Sequence, residues 1–197
     1  MHKRIIFDLD DTLVKWIDEY DYALKDTLIK YDIDFDYHTL SNSIDEYDHN
    51  SKIYNSYDLI EFLNKKHNLN LTIDFINDWL EELGTKGDVS KEVIDLLEYL
   101  SNKYELVVLT NWGSTCQINR LKHAGVYKYF KELYGGEILK KPSIEAFKKA
   151  MGPYKTSECI MVGDSLYFDI SPAQELGIKT YHVGEDIDSI LELKEML

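Results

Sequence analysis

Asp8, Asp10 and Asp11 follow directly on the apolar run Ile5, Ile6, Phe7. Like charges this close repel one another, so the grouping calls for a cation or for a reaction that uses it. Two later apolar runs end in a comparable way. "VVLTN" stops at Thr110 and Asn111, and "IMVGD" stops at Asp164. In an open α/β sheet, ligands bind at the carboxyl ends of the strands. Folding therefore gathers Asp8, Asp10, Thr110, Asn111 and Asp164 at one edge. Ligands that are all oxygen select a hard ion, Mg²⁺ before Ca²⁺. One carboxylate can attack an electrophile while another ferries a proton, and the metal neutralises charge on the group in transfer. That division of labour suits phosphoryl transfer through an aspartyl phosphate.

The elements that must position these residues are short. The opening run and the segments 104–111, 131–136, 158–164 and 178–183 are apolar stretches bounded by polar residues or glycine, as expected of parallel strands covered on both faces. Helical patterns separate them. Behind Ser90, a candidate N-cap, Val93, Leu96, Leu97 and Leu100 mark one helix face. Ile118 with Leu121, and Ile144 with Phe147 and Met151, repeat the spacing. Leu176 precedes Gly177, a common helix stop, and Ile187, Ile190 and Leu191 predict a final amphipathic helix. Alternating strands and helices mean α/β architecture with a doubly wound parallel sheet. Residues 14–87 interrupt the alternation. Ile17, Tyr20, Leu24, Leu28 and Tyr31 form a helical stripe there, and further helical patterns cover about 57–67 and 72–83, so the stretch reads as a helical insertion. The expected units are 1–13 with 88–197 as the α/β core and 14–87 as the insertion.

Composition excludes several classes. With 44% hydrophobic residues, three prolines and ten glycines, the chain is globular. A formal charge of −14 opposes binding to a nucleic acid polymer or to an anionic membrane surface. No apolar stretch approaches a membrane span, and "IIF" is too short for a signal-peptide core, so the cytoplasm is the expected location. Cys116 and Cys159 lack metal-type spacing. "DIDFD" at 32–36 imitates a calcium loop, but Tyr37 and Ser43 stand where that loop needs glycine and glutamate. His38, His49, His67 and His123 show no ligand spacing and are expected at the surface or in packing. The insertion's tyrosines and Trp79 are expected in a core.

"FDLDDTL", "VVLTN", "KKPSIEAF" and "VGDSLYFD" occur in that order. Together they resemble the four motifs of the haloacid dehalogenase-like (HAD) superfamily, and they span the core from end to end. The resemblance implies a Rossmann-like core whose helical insertion after the first motif is a cap, a lid closing over small substrates. It implies Asp8 as the nucleophile and a Mg²⁺ ligand. It implies that Asp10 protonates the leaving alcohol, then activates water, and lends its main-chain carbonyl to the metal. Thr110 and neighbouring N–H groups, with Asn111, would bind the phosphoryl oxygens. Lys141 would supply positive charge, rather than Lys140, because proline restricts its predecessor to extended geometry. Asp164 would complete the metal site, with Asp169 as a ligand or as support behind it. The implied activity is a Mg²⁺-dependent phosphatase acting on a small phosphorylated metabolite, of nucleotide 5′-monophosphate or phosphoglycolate and sugar phosphate type, as a monomer or homodimer. A phosphomutase or a haloacid dehalogenase of the same superfamily is the enzymatic alternative. Family dehalogenases lack the second acid of the first motif, so Asp10 speaks against the latter. A binding protein on the same scaffold is the alternative without catalysis.

Overall fold

The computed structural model describes residues 2–14 and 17–197. The strands are β1 (Arg4–Phe7), β2 (Glu105–Leu109), β3 (Phe130–Tyr134), β4 (Cys159–Gly163) and β5 (Lys179–His182). They form one parallel sheet in the order β3-β2-β1-β4-β5. Central β1 is buried along its whole length, which is why, after Arg4, it runs continuously apolar through Ile5, Ile6 and Phe7 rather than alternating. Its side chains still point alternately to two cores. Ile5 and Phe7 join Leu106, Val108, Ile160 and Val162 on one face, whereas Ile6 joins Val107, Leu109 and Met161 on the other.

Helices cover both faces. Helix α5 (Lys91–Ser101) packs Leu96, Leu97 and Leu100 on the first face, beside Leu121 of α6 (Ser114–His123). Ser90 caps α5, its hydroxyl oxygen accepting from Val93 N–H at 3.4 Å. Helix α7 (Ile144–Met151) and the short α8 (Ser171–Glu175) cover the second face with Phe147, Ala150 and Ala173. The fold class is thus the expected α/β doubly wound parallel sheet with an inserted helical cap.

The chain end departs from expectation. Ile187 makes an isolated bridge with Val183, Ser189 caps a 3₁₀ turn at Ile190–Glu192, and only Leu193–Met196 continues as α-helix (α9). The buried residues are Ile187, Ile190 and Leu193, while Leu191 is exposed. A repeat of three suits the tighter turn rather than a 3.6-residue period.

Four helices make the cap layer: α1 (Ile17–Lys30), α2 (Tyr37–Asn50), α3 (Ser56–His67) and α4 (Ile73–Leu83). Tyr20, Leu24 and Leu28 of the expected α1 stripe are buried, and Ile17's side chain lies outside the described residues. Helix α2 was not expected, because its apolar face is only Leu40, Ile44 and Tyr47 in a polar tract. The acid-rich run at 32–36 is its lead-in. Asp36 is the N-cap, and its carboxylate accepts from Thr39 N–H at 2.8 Å. Trp79 sits fully buried at the centre of this layer, with its ring 6.2 Å from Tyr20 and 5.8 Å from Trp112. Among the described residues no helix is long and apolar enough to cross a membrane.

Trp79→Ala should cost about 3–5 kcal/mol, as aromatic-to-alanine changes in closed cores do. Urea unfolding followed by circular dichroism measures it, and a loss under about 1 kcal/mol would show that the cap layer has no tightly packed centre.

Candidate active site

Sheet register decides which side chains meet. Phe7 lies opposite Val108 on one side and Val162 on the other. The residues following these three positions therefore emerge at one level of the sheet edge. Asp8 is 7% exposed there, with its N–H bonded to Val162 O at 2.9 Å. The chain then turns through Asp11, at φ +56°, a left-handed position that aspartate tolerates better than most side chains. Asp11 N–H closes this turn on Val14 O at 2.6 Å.

Lys141 is the cation of the site. Its ammonium donates to Asp8 and, at 2.6 Å, to Asp169 Oδ1. Asn111 fixes the lysine's main chain in two places. Its Oδ1 accepts Lys141 N–H at 2.8 Å, and its Nδ2 donates to Lys141 O at 3.3 Å. The Lys141–Pro142 peptide is cis. Neighbouring Lys140 points elsewhere, to Asp48 Oδ1 at 2.8 Å and Ser51 Oγ at 3.0 Å in the cap layer. Asp169 lies in a π-type turn, Leu166–Ile170, and its Oδ2 accepts Ser165 N–H at 3.1 Å. Gly163 permits this approach, since a Cβ there would lie 2.6 Å from the Asp169 carboxyl carbon. Asp164 Oδ1 accepts from Thr12 Oγ at 3.3 Å, and its main-chain carbonyl accepts from His182 Nε2 at 2.7 Å.

Carboxylate oxygens of Asp8, Asp164 and Asp169 all lie within 4.8 Å of one another. Burial pushes the Asp8 carboxyl well up, Lys141 opposes the shift, and Asp169 and Asp10 add to it. Burial also raises Asp164, with Asp169 contributing. Burial alone would lower the Lys141 ammonium, but Asp169 and Asp8 outweigh it and hold the group above its ordinary value. Three acids around one ammonium leave an excess of negative charge that a hard divalent cation on oxygen ligands would offset. The residues fit Mg²⁺.

Asp10 faces different partners. Its carboxylate pairs with Arg120 and accepts from Gln117 Nε2 at 2.8 Å and from Tyr20 OH at 3.4 Å. Gln117 Nε2 also donates to Thr110 Oγ at 3.0 Å. So the sequence-predicted residues Asp8, Asp10, Thr110, Asn111, Lys141, Asp164 and Asp169 all line one cleft of about 270 Å³. The carboxylate of Asp10 stands apart from the acid trio, and that of Asp169 belongs to it. Asp45, Asp48 and His49 of α2 contribute the cap side of the cleft, facing Trp112 and Phe168. His49 and Phe168 rings are 5.2 Å apart across it.

Sequence reasoning missed Gln117, Arg120 and the α2 residues. The stripe Ile118 and Leu121 was expected to be the buried face of α6. The buried residues are instead Cys116, Gln117, Arg120 and Leu121, with Ile118 half-buried. The available signal was a glutamine and an arginine three positions apart beside an apolar stripe, which a surface reading explains equally well.

A family model described as haloacid dehalogenase-like hydrolase matches residues 5–183. The chain is 30% identical over 210 residues to a glyceraldehyde 3-phosphate phosphatase of Pyrococcus furiosus, covering 98% of this chain and 86% of that protein. It is 30% identical over 104 residues to the pyrimidine 5′-nucleotidase PynA of Streptococcus pneumoniae, covering 50% of this chain and 44% of that one. The HAD-hydrolase YfnB of Bacillus subtilis is 29% identical over 98 residues, and this match spans 42% of YfnB. The crystal structure of YfnB bound to magnesium superposes with a TM-score of 0.82 at 21% identity, covering 100% of this chain and 98% of that one.

Lys140→Met should destabilise the protein by about 1–3 kcal/mol, because it leaves the half-buried Asp48 carboxylate without its partner. Burial already raises the Asp48 carboxyl, with Lys140 opposing. Lys140→Met combined with Asp48→Leu should recover most of the loss, since an apolar pair carries no uncompensated charge. Denaturant unfolding of both variants decides it, and a single variant as stable as the wild type would show that this contact does not hold cap to core.

Proposed function

Because the chain belongs to the haloacid dehalogenase-like hydrolase family, we propose that it is a Mg²⁺-dependent phosphatase that hydrolyses a small phosphomonoester through an aspartyl phosphate on Asp8. The observation that carries this reading is the split between two acids of one turn. Asp8 shares an ammonium with Asp169, while Asp10, two residues on, has a separate set of donors.

An oxygen of Asp8 attacks phosphorus as the bond from phosphorus to the ester oxygen breaks. Asp10, entering this step in its protonated form, gives that proton to the departing oxygen. A water molecule then attacks phosphorus, losing its proton to Asp10, and the bond to Asp8 breaks to release phosphate. Lys141 places positive charge beside the nucleophile and the group in transfer. Thr110 and the main-chain N–H groups after it provide donors for the phosphoryl oxygens, and Asn111 keeps Lys141 in position. Asp8, Asp164 and Asp169, with the main-chain carbonyl of Asp10, would hold Mg²⁺, which supplies charge neutralisation during transfer. The reading assigns residues 14–87 to the cap, whose α2 acids and His49 shape the pocket and exclude water when it closes.

Similarity to a glyceraldehyde 3-phosphate phosphatase and to a pyrimidine 5′-nucleotidase supports a small phosphorylated substrate of sugar phosphate or nucleotide type. A haloacid dehalogenase needs no proton donor for halide, so the bonded seat of Asp10 favours the phosphatase.

The test is a panel of nucleotides, sugar phosphates and phosphoglycolate, with Mg²⁺ and after exhaustive metal removal, beside Asp8→Asn and Asp10→Asn. Phosphate release should require Mg²⁺ and vanish in folded Asp8→Asn. Asp10→Asn should lose about 10²–10⁴-fold on alkyl phosphates and less on p-nitrophenyl phosphate, whose leaving group needs no proton. Near-normal turnover by folded Asp8→Asn would remove the covalent mechanism.

A further inference from the structure

We propose that Arg120 is a positioning residue for Asp10, and that Glu19 ties this positioning to the seat of cap helix α1. The inference rests on the role given to Asp10 in the phosphatase reading.

Arg120 is fully buried, a rare state for arginine unless its donors are matched. Its planar fork presents separate N–H groups in fixed directions. Nη1 pairs with Asp10 Oδ1, and Nη2 donates to Glu19 Oε2 at 2.5 Å. Gln117, one turn earlier on α6, completes the frame. It donates to Asp10 Oδ2 at 2.8 Å and accepts from Arg120 Nη1 at 3.0 Å. Both carboxylate oxygens are therefore fixed, and the Tyr20 ring lies 5.0 Å from the guanidinium carbon.

The partners come from two layers. Gln117 and Arg120 stand on a core helix, whereas Glu19 and Tyr20 stand on α1. Proton transfer needs the donor and acceptor atoms about 2.6–3.2 Å apart, and a misplacement of 1 Å can cost about 10²-fold. Glu19 belongs to α1 and Arg120 to α6, so the second anchor of the guanidinium, and with it the direction given to Asp10, depends on the cap helix being seated. Pocket closure and proton delivery are thereby coupled through one side chain.

A purely structural role would stitch α1 to α6 without touching the chemistry. The two roles differ in what the leaving group experiences. As the Asp8 oxygen bonds to phosphorus and the ester bond breaks, Asp10 supplies the proton to the departing oxygen. Leaving groups that are stable as anions need that proton least. Misdirecting Asp10 therefore harms phenyl phosphate more than p-nitrophenyl phosphate, whereas loosened packing harms both alike.

The experiment measures kcat/KM in saturating Mg²⁺ for substituted phenyl phosphates, from p-nitrophenyl to unsubstituted. It compares wild type with Arg120→Lys, Glu19→Ala and Glu19→Gln, with Tm recorded for each. Arg120→Lys and Glu19→Ala should lose on the order of tenfold on phenyl phosphate and under about threefold on p-nitrophenyl phosphate, a fraction of the roughly 10²–10⁴-fold value of acid–base assistance. Glu19→Gln still accepts from Nη2 and should return to within about threefold of wild type on both. Losses of equal size along the series, or Glu19→Gln as impaired as Glu19→Ala, overturn the proposal. Should Arg120→Lys fail to fold, the two Glu19 variants decide alone. A folded wild type inert towards the whole series overturns the phosphatase reading itself, a result distinct from an active wild type with a flat series.

Discussion

One buried ammonium, that of Lys141, stands between Asp8 and Asp169, and much of the surrounding backbone exists to hold it there. A lysine side chain is long and entropically costly to fix, so its main chain must be anchored first. Asn111 does this from the end of β2 with a two-point amide clasp. The main chain of Asn111 is in turn approached closely by Gly136, where a Cβ would collide with its carbonyl oxygen. Gly163 makes the same concession to Asp169. Two glycines near strand ends thus give room for the residues around the cation, Gly136 for Asn111 and Gly163 for Asp169.

That concentration of charge also explains which parts of the molecule were legible in advance. Strand ends were readable, because the interior of a strand covered on both faces runs apolar and the first polar residue after it marks its exit. The register of β1 with β2 and β4 then converts three such exits into one edge, and the seven candidate residues reach one cleft. Residues that support them were not readable. Gln117 and Arg120 sit among apolar neighbours on α6, where their burial depends on Asp10 and Glu19 arriving from other elements. Nothing in local spacing reveals a partner 110 positions away. Helix α2 escaped for a related reason. Its few apolar side chains gain their packing from the other cap helices, so tertiary contact rather than propensity makes it a helix.

Cap and core are joined by unlike contacts. Trp112, immediately after Asn111, leaves the sheet edge and enters the cap layer's apolar cluster beside Tyr20, Tyr54 and Trp79. Helix α2 adds an ionic contact through Lys140 and Asp48, and α1 adds the Arg120–Glu19 pair beside its Tyr20 ring contacts. An apolar contact is non-directional and tolerates small rotations. A buried ion pair does not, since misalignment leaves charge uncompensated. The layer boundary thus combines an apolar contact at Trp112 with two directional ion pairs.

The motif that opens the chain therefore carries two acids whose similarity ends at their side-chain type. Both line the same cleft, within one turn of backbone. Asp8 is deeply buried, faces two further acids, and depends on Lys141 for compensation. Asp10 is fixed by a guanidinium and an amide that belong to another helix, and one of these is shared with the cap. In the proposed mechanism Asp8 must stay in place through both halves of a double displacement, and a rigid seat in the sheet suits that role. A proton carrier must act first on a leaving group and then on water. For the proton carrier proposed at Asp10, direction matters most when substrate is enclosed, and the Arg120–Glu19 pair is a contact through which the cap layer reaches its partner.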